Sequence, residues 1–163
     1  MAESLPASVL SRQKFGSPTD LILALLRRDH PTLRIQSKVK LRQKVPLVLV
    51  RTARNPSGGK SDSRFTDLVQ IEIQVYTQGV NADDDGERIS EAMRVTLFDA
   101  WRNQVVVPGL GWLMDIEMTS RPHEVPDWAT STGPVQYADL PADFTRYETR
   151  YTVEIRTDPR RAA

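Results

Sequence analysis

At 163 residues, with 39% hydrophobic and 26% charged side chains, the chain has the size and composition of one globular domain with a sizeable core. The absence of cysteine excludes disulfide frameworks, thiolate metal sites and cysteine nucleophiles, and the longest apolar run, Leu21 to Leu26, falls far short of the ~20 residues a membrane-spanning helix needs. The net charge of +1 conceals a split: 13 Lys and Arg stand against 4 Asp and Glu up to Arg64, then 9 against 17 from Phe65 onward.

Residues 1–16 have weak periodicity and read as a loose arm with room for a helical turn. Nothing there has the pattern of a secretory leader, so synthesis and use in a cytoplasm are expected. "SPTDLILALLRRDHP" then predicts a bounded helix. Ser17 caps it, Pro18 takes the first helical position, Asp20 favours the positive end, Arg27 and Arg28 the negative end, and Pro31 stops it. Leu21, Ile22, Leu25 and Leu26 form its apolar face. Leu33 to Leu41 alternates loosely as a short basic strand or extended segment.

"VPLVLVRTA", residues 45–53, is apolar and β-branched enough for a strand covered on both faces. "FTDLVQIEIQVYTQ" alternates cleanly, with Val69, Ile71, Ile73 and Val75 on one side and Gln70, Glu72, Gln74 and Tyr76 on the other. From Ala82 to Asn103, Ile89, Met93, Leu97 and Trp101 recur every four residues and predict a second helix, with Asp83, Asp84, Asp85 and Glu87 at its positive end. "VPGLG" breaks the chain and "WLMDIEM" (112–118) gives a strand. Residues 119–143, rich in proline and turn residues, read as a long irregular segment of the kind that serves as an interaction arm. "RYETRYTVEIRT" (146–157) alternates again, and residues 158–163 should fray. The sum is one α+β domain over residues 1–163, its core at 17–157. Its sheet is mostly antiparallel, two main helices pack on one face, and it carries a long hairpin loop and a long loop in the C-terminal half.

Two stretches invite chemistry and decline it. "NPSGGKSD" supplies Gly59, Lys60 and Ser61 but lacks the earlier glycine of a phosphate loop, and strand rather than helix follows, so a hairpin loop is expected. "NADDDGERISEA" matches the first half of a calcium loop through Asn81, Asp83, Asp85 and Gly86, yet Ala92 stands where the closing glutamate belongs. His30 and His123 have no second ligand at useful spacing. No serine sits in a nucleophile elbow and no carboxylate pair stands in an apolar setting, so neither catalytic residues nor a metal or cofactor is expected. Trp101 and Trp112 read as core. Trp128, in a polar stretch, is a candidate anchor against a partner, its alternative being to pack back on its own domain.

The succession "VPLVLVRTA…SGG…SRFTDLVQIEIQVYTQG…ADDDGERISEAMRVTLFDAW", closed by "RYETRYTVEIR", resembles the tail terminator (tail completion) proteins of long-tailed, siphovirus-type phages. The likeness spans about residues 18–157. It runs through a short helix and a strand with Pro46, Val48, Val50 and Arg51. A loop with Gly58 and Gly59, an alternating strand and an alanine-bearing helix follow. The extended "RNPSGGKSDS" tip, residues 54–63, and the 119–143 segment depart from that pattern. The resemblance implies a structural virion protein without enzymatic activity: a hexameric ring on the end of the tail tube that stops polymerisation and joins the head connector. Its implied partners are further copies of itself, the tube protein, the connector, and DNA passing the lumen without sequence preference. Arg54, Lys60 and Arg64, with Gly58 and Gly59, then form an interaction loop. Another neck or head-completion protein of the virion, or a cytosolic enzyme, is the alternative. The charge split fits nucleic acid, an acidic partner or a neighbouring copy, unless folding interleaves the two halves and cancels it.

Overall fold

The computed structural model describes residues 5–10, 16–40, 43–53, 66–125 and 144–157. The elements in order are α1 (Ala7–Leu10), α2 (Pro18–Asp29), β1 (Arg34–Gln36), β2 (Leu47–Ala53), β3 (Thr66–Gln78), α3 (Ala82–Arg102), β4 (Trp112–Glu124) and β5 (Phe144–Arg156). The strands make one five-stranded sheet in the order β1-β2-β3-β5-β4. All neighbours are antiparallel except β1 and β2, so the α+β architecture stands with one parallel pair at an edge.

Both longer helices lie on the same face of the sheet. α2 sets Leu21, Ile22, Leu25 and Leu26, and also Leu23, against the core; α3 adds Met93, Leu97 and Ala100. They meet Val48 and Val50 of β2, Val69, Ile71, Ile73 and Val75 of β3, and Tyr151, Val153 and Ile155 of β5. The period-2 alternation read in β3 and β5 is therefore the division between helix-facing and open sides of the sheet. β2 is buried on both sides. Leu47 and Leu49 join Tyr76 in a second apolar cluster on the open face, with Val39, Val45 and Phe144 against it.

The structure corrects three expectations and narrows a fourth. Ser17 occupies the cap position of α2 in extended backbone, but its side chain makes no capping hydrogen bond; Pro18 behind it already removes one amide that would need a partner. Of residues 33–41, expected as a strand or extended segment, Arg34–Gln36 is strand. The strand after "VPGLG" does not stop at Met118 but continues through Glu124. β4 takes in Thr119, Ser120 and Pro122 with register shifts at Leu113/Asp115, Met118/Ser120 and Ser120/His123, while residues 126–143 of the expected irregular segment lie outside the described residues. Trp112 is not core: it stands half-buried on the open face opposite Arg156, whose guanidinium lies 5.9 Å from the ring centre.

The charge split survives folding as a division across the sheet. The described residues of 16–53, which make α2, β1 and β2, carry seven Lys and Arg against two Asp. The described residues from 66 onward carry seven Arg against thirteen Asp and Glu. The β1 edge is basic in sum and the remainder acidic in sum.

Candidate interaction surfaces

Arg54, Gly58, Gly59, Lys60, Arg64 and Trp128 lie outside the described residues. The strands that bracket the loop are described. β2 and β3 are antiparallel neighbours from Leu47↔Tyr76 to Ala53↔Gln70, so residues 54–65 join two strands of one hairpin. The next described element after the glycine–lysine stretch is a strand, β3 from Thr66.

The open face of the sheet carries side chains in cross-strand rows. Arg51, Glu72, Arg150 and Ser120 share one row; Leu49, Gln74, Glu148 and His123 share the next. The rows are tied together. The buried Tyr76 hydroxyl donates to Gln74 Oε1 at 2.6 Å, and the Gln74 amide donates to Glu72. Arg150 bridges two carboxylates, Glu72 at 3.4 Å and Glu148 at 2.7 Å. Glu148 is buried, and a buried carboxylate is tolerated only when paired, which Arg150 achieves. Beside them, Arg51 Nη2 is enclosed without a hydrogen-bond partner among the described residues. A cleft of about 430 Å³ opens between Gln70, Glu72, Thr119, Ser120 and Arg150.

A second cleft, about 440 Å³, runs between the C-terminal half of α3 and the edge strand β4. Val95, Phe98, Trp101 and Met118 give it an apolar floor. Arg94, Arg102 and Arg121 rim it, with Asp99 as the lone carboxylate. The floor is fixed: the Phe98 and Trp101 rings meet edge to face at 6.2 Å, and Trp101 Nε1 donates to the Met114 carbonyl at 3.0 Å.

The other end of α3 has opposite character. Gly79, at φ 101°, turns the chain out of β3 and leaves Val80 fully exposed. Asp83, Asp84 and Asp85 follow in the first turn; among the described residues only Asp84 is in an ion pair, to Arg88 at 2.9 Å. The Asp85 amide already bonds to the Asn81 carbonyl at 2.9 Å, so the backbone is helical where a calcium loop would have to wrap. Tyr147 of β5 registers the acidic surroundings. Loss of water, and then the carboxylates of Asp83, Glu124 and Glu87, raise its phenol above the ordinary value.

The two histidines do structural work. Nε2 of His30, the C-cap of α2, is 2.8 Å from the Thr96 hydroxyl and ties α2 to α3, while His123 Nδ1 bonds the Arg121 carbonyl at 2.8 Å. Among the described residues no group of three or more His, Asp or Glu side chains is placed to hold a metal ion, and no helix is long and apolar enough to cross a membrane. Sequence reasoning missed both the α3–β4 cleft and the Val80 knob. The signal for the first was present in Val95 and Phe98, apolar residues beside the stripe of α3; its other wall depended on β4 continuing past Met118. Compared with known proteins, the chain matches no family model and has no significant match to a curated protein.

Proposed function

We propose that this chain is a structural subunit of a phage tail that forms a ring on the end of the tail tube, ends its polymerisation and makes the joint to the head connector. The observation that carries this reading is the segregation of charge, a basic edge of α2, β1 and β2 against an acidic remainder. A surface of that kind favours contacts between unlike patches, and unlike contacts repeated by rotation close into rings. The element order supports it as well. A helix, an apolar strand led by Pro46, a hairpin, an alternating strand, a long helix and a closing strand occur in the sequence the tail-terminator resemblance implies. The open face, with its paired arginines and glutamates, suits a subunit that works by contact. In this role no reaction is catalysed, the protein resides in the virion, and DNA crosses the ring without sequence readout.

Electron microscopy of particles assembled without the protein tests it. Tubes of uncontrolled length and heads without tails are expected; tails of normal length joined to heads would overturn the reading. Replacing Arg54, Lys60 and Arg64 together with serine tests the loop separately, with impaired tail completion in a folded protein as the expected result.

A further inference from the structure

We infer that the cleft between α3 and β4 receives the Val80 turn of a second copy of this chain. The inference deepens the ring reading above and rests on it for closure. The two surfaces match in both shape and charge. The cleft has an apolar floor of Val95, Phe98 and Met118 within a rim of Arg94, Arg102 and Arg121. The turn presents one fully exposed valine, flanked by the exposed carboxylates of Asp83 and Asp84. A side chain that fills an apolar pocket while opposite charges meet around it is the arrangement that concentrates binding energy at protein interfaces.

The rim stands out against its surroundings. The described residues from 66 onward are acidic as a set, yet three of their seven arginines gather at this one cleft. Nor can the turn of one molecule reach its own cleft. Asp83 and Phe98 sit on the same straight helix, about 20 Å apart along its axis. The knob lies at the end of central strand β3 and the cleft on edge strand β4, so the contact joins different surfaces. It is head-to-tail, and it can repeat around an axis.

The cysteine-free chain makes the test direct. Two full-length variants, Val80→Cys and Val95→Cys, each altering an exposed side chain, are mixed and oxidised at high protein concentration and low ionic strength, and again on assembled tails. The expected result is a disulfide-linked product in the mixture several-fold above that in either variant alone. Cross-linking of Val80→Cys to itself as strongly as to Val95→Cys would overturn the inference, because the contact would be two-fold. So would a mixture no more cross-linked than its components on tails that carry the protein as a ring, or capture of another tail protein by Val95→Cys in place of a second copy. Charge exchange gives an independent arm. Asp83→Arg with Asp84→Arg, or Arg102→Asp with Arg121→Asp, should each abolish the cross-link, and mixing the two exchanged proteins should restore it; failure to restore counts against the contact. The chain carrying both cysteines separates this inference from the ring. A covalent series closing at the hexamer supports both, whereas one that runs on without closing upholds the contact and removes the ring.

Discussion

Tyr151 is fully buried on the helix-facing side of β5, opposite Ile71, and its hydroxyl has no hydrogen-bond partner among the described residues. Burial, opposed by the Arg94 charge and aided by that of Glu91, holds its phenol far above the ordinary 10.0. The sign of the consequence follows. Below the ordinary value both folded and unfolded chains keep the proton; above it the unfolded chain releases it and the folded one does not. Stability is therefore expected to fall as pH rises beyond about 10, the ordinary phenol range. Tyr151→Phe should remove this residue's share of that fall in denaturant titrations across alkaline pH. At neutral pH the same change removes an unsatisfied buried hydroxyl without opening a cavity, so stability should stay level or rise by up to about 1 kcal/mol.

At the scale of elements, α3 seats on β5 through a glycine. A Cβ on Gly86 would lie 2.5 Å from the Tyr147 ring, so the close approach requires the bare backbone. Gly86→Ala adds about 1 kcal/mol of helix propensity, yet forced overpacking costs about 1–3 kcal/mol and should win. A lower unfolding midpoint is the expected reading, and Tyr147→Ala in the same chain should recover part of it. For α2, Ser17→Ala should change stability by less than about 0.5 kcal/mol, half or less of a usual cap loss, since the Ser17 hydroxyl caps nothing. Both helices and the strands β2, β3 and β5 were legible because burial imposes period: Leu21 to Leu26, Met93 to Ala100 and Val69 to Val75 each repeat at the spacing of their element. β4 was only half legible. Past Met118 its register shifts break the alternation, and Pro122 lies on the sheet's edge strand, where proline is tolerated. The α3–β4 cleft was hidden for the same reason. Its wall is a stretch whose strand character comes from pairing with β5 and not from its own pattern.

For the whole molecule, the sheet order turns a property of the sequence into one of the surface. The basic first part stays at the β1 edge and the acidic part builds the rest. Association between copies should therefore weaken with ionic strength, because salt screens exposed charges beyond about 10 Å at 0.1 M. Sedimentation at low and high salt measures this. An association that is unchanged or strengthened by salt would point to apolar contacts instead. The β4 edge is guarded against indiscriminate strand pairing by its bulges, by Pro122, and by Asp115, Glu117 and Arg121. Any contact at this edge is thereby directed to side-chain surfaces.

The sheet order also sets a timetable. β5 is the last of the described strands to be synthesised, yet it belongs between β3 and β4, pairing Thr66 with Arg156 and Gln78 with Phe144. Until it arrives, β3 has one open side and β4 no partner at all. Pairings between segments so distant in the chain are slow to form and leave strand edges exposed meanwhile. A chain ending before Phe144 should therefore stay unfolded or aggregate, despite keeping both longer helices and four of the five described strands, and β3–β5 docking should limit the refolding rate of the full chain. Residues 144–156 must therefore be in place before the described sheet is complete.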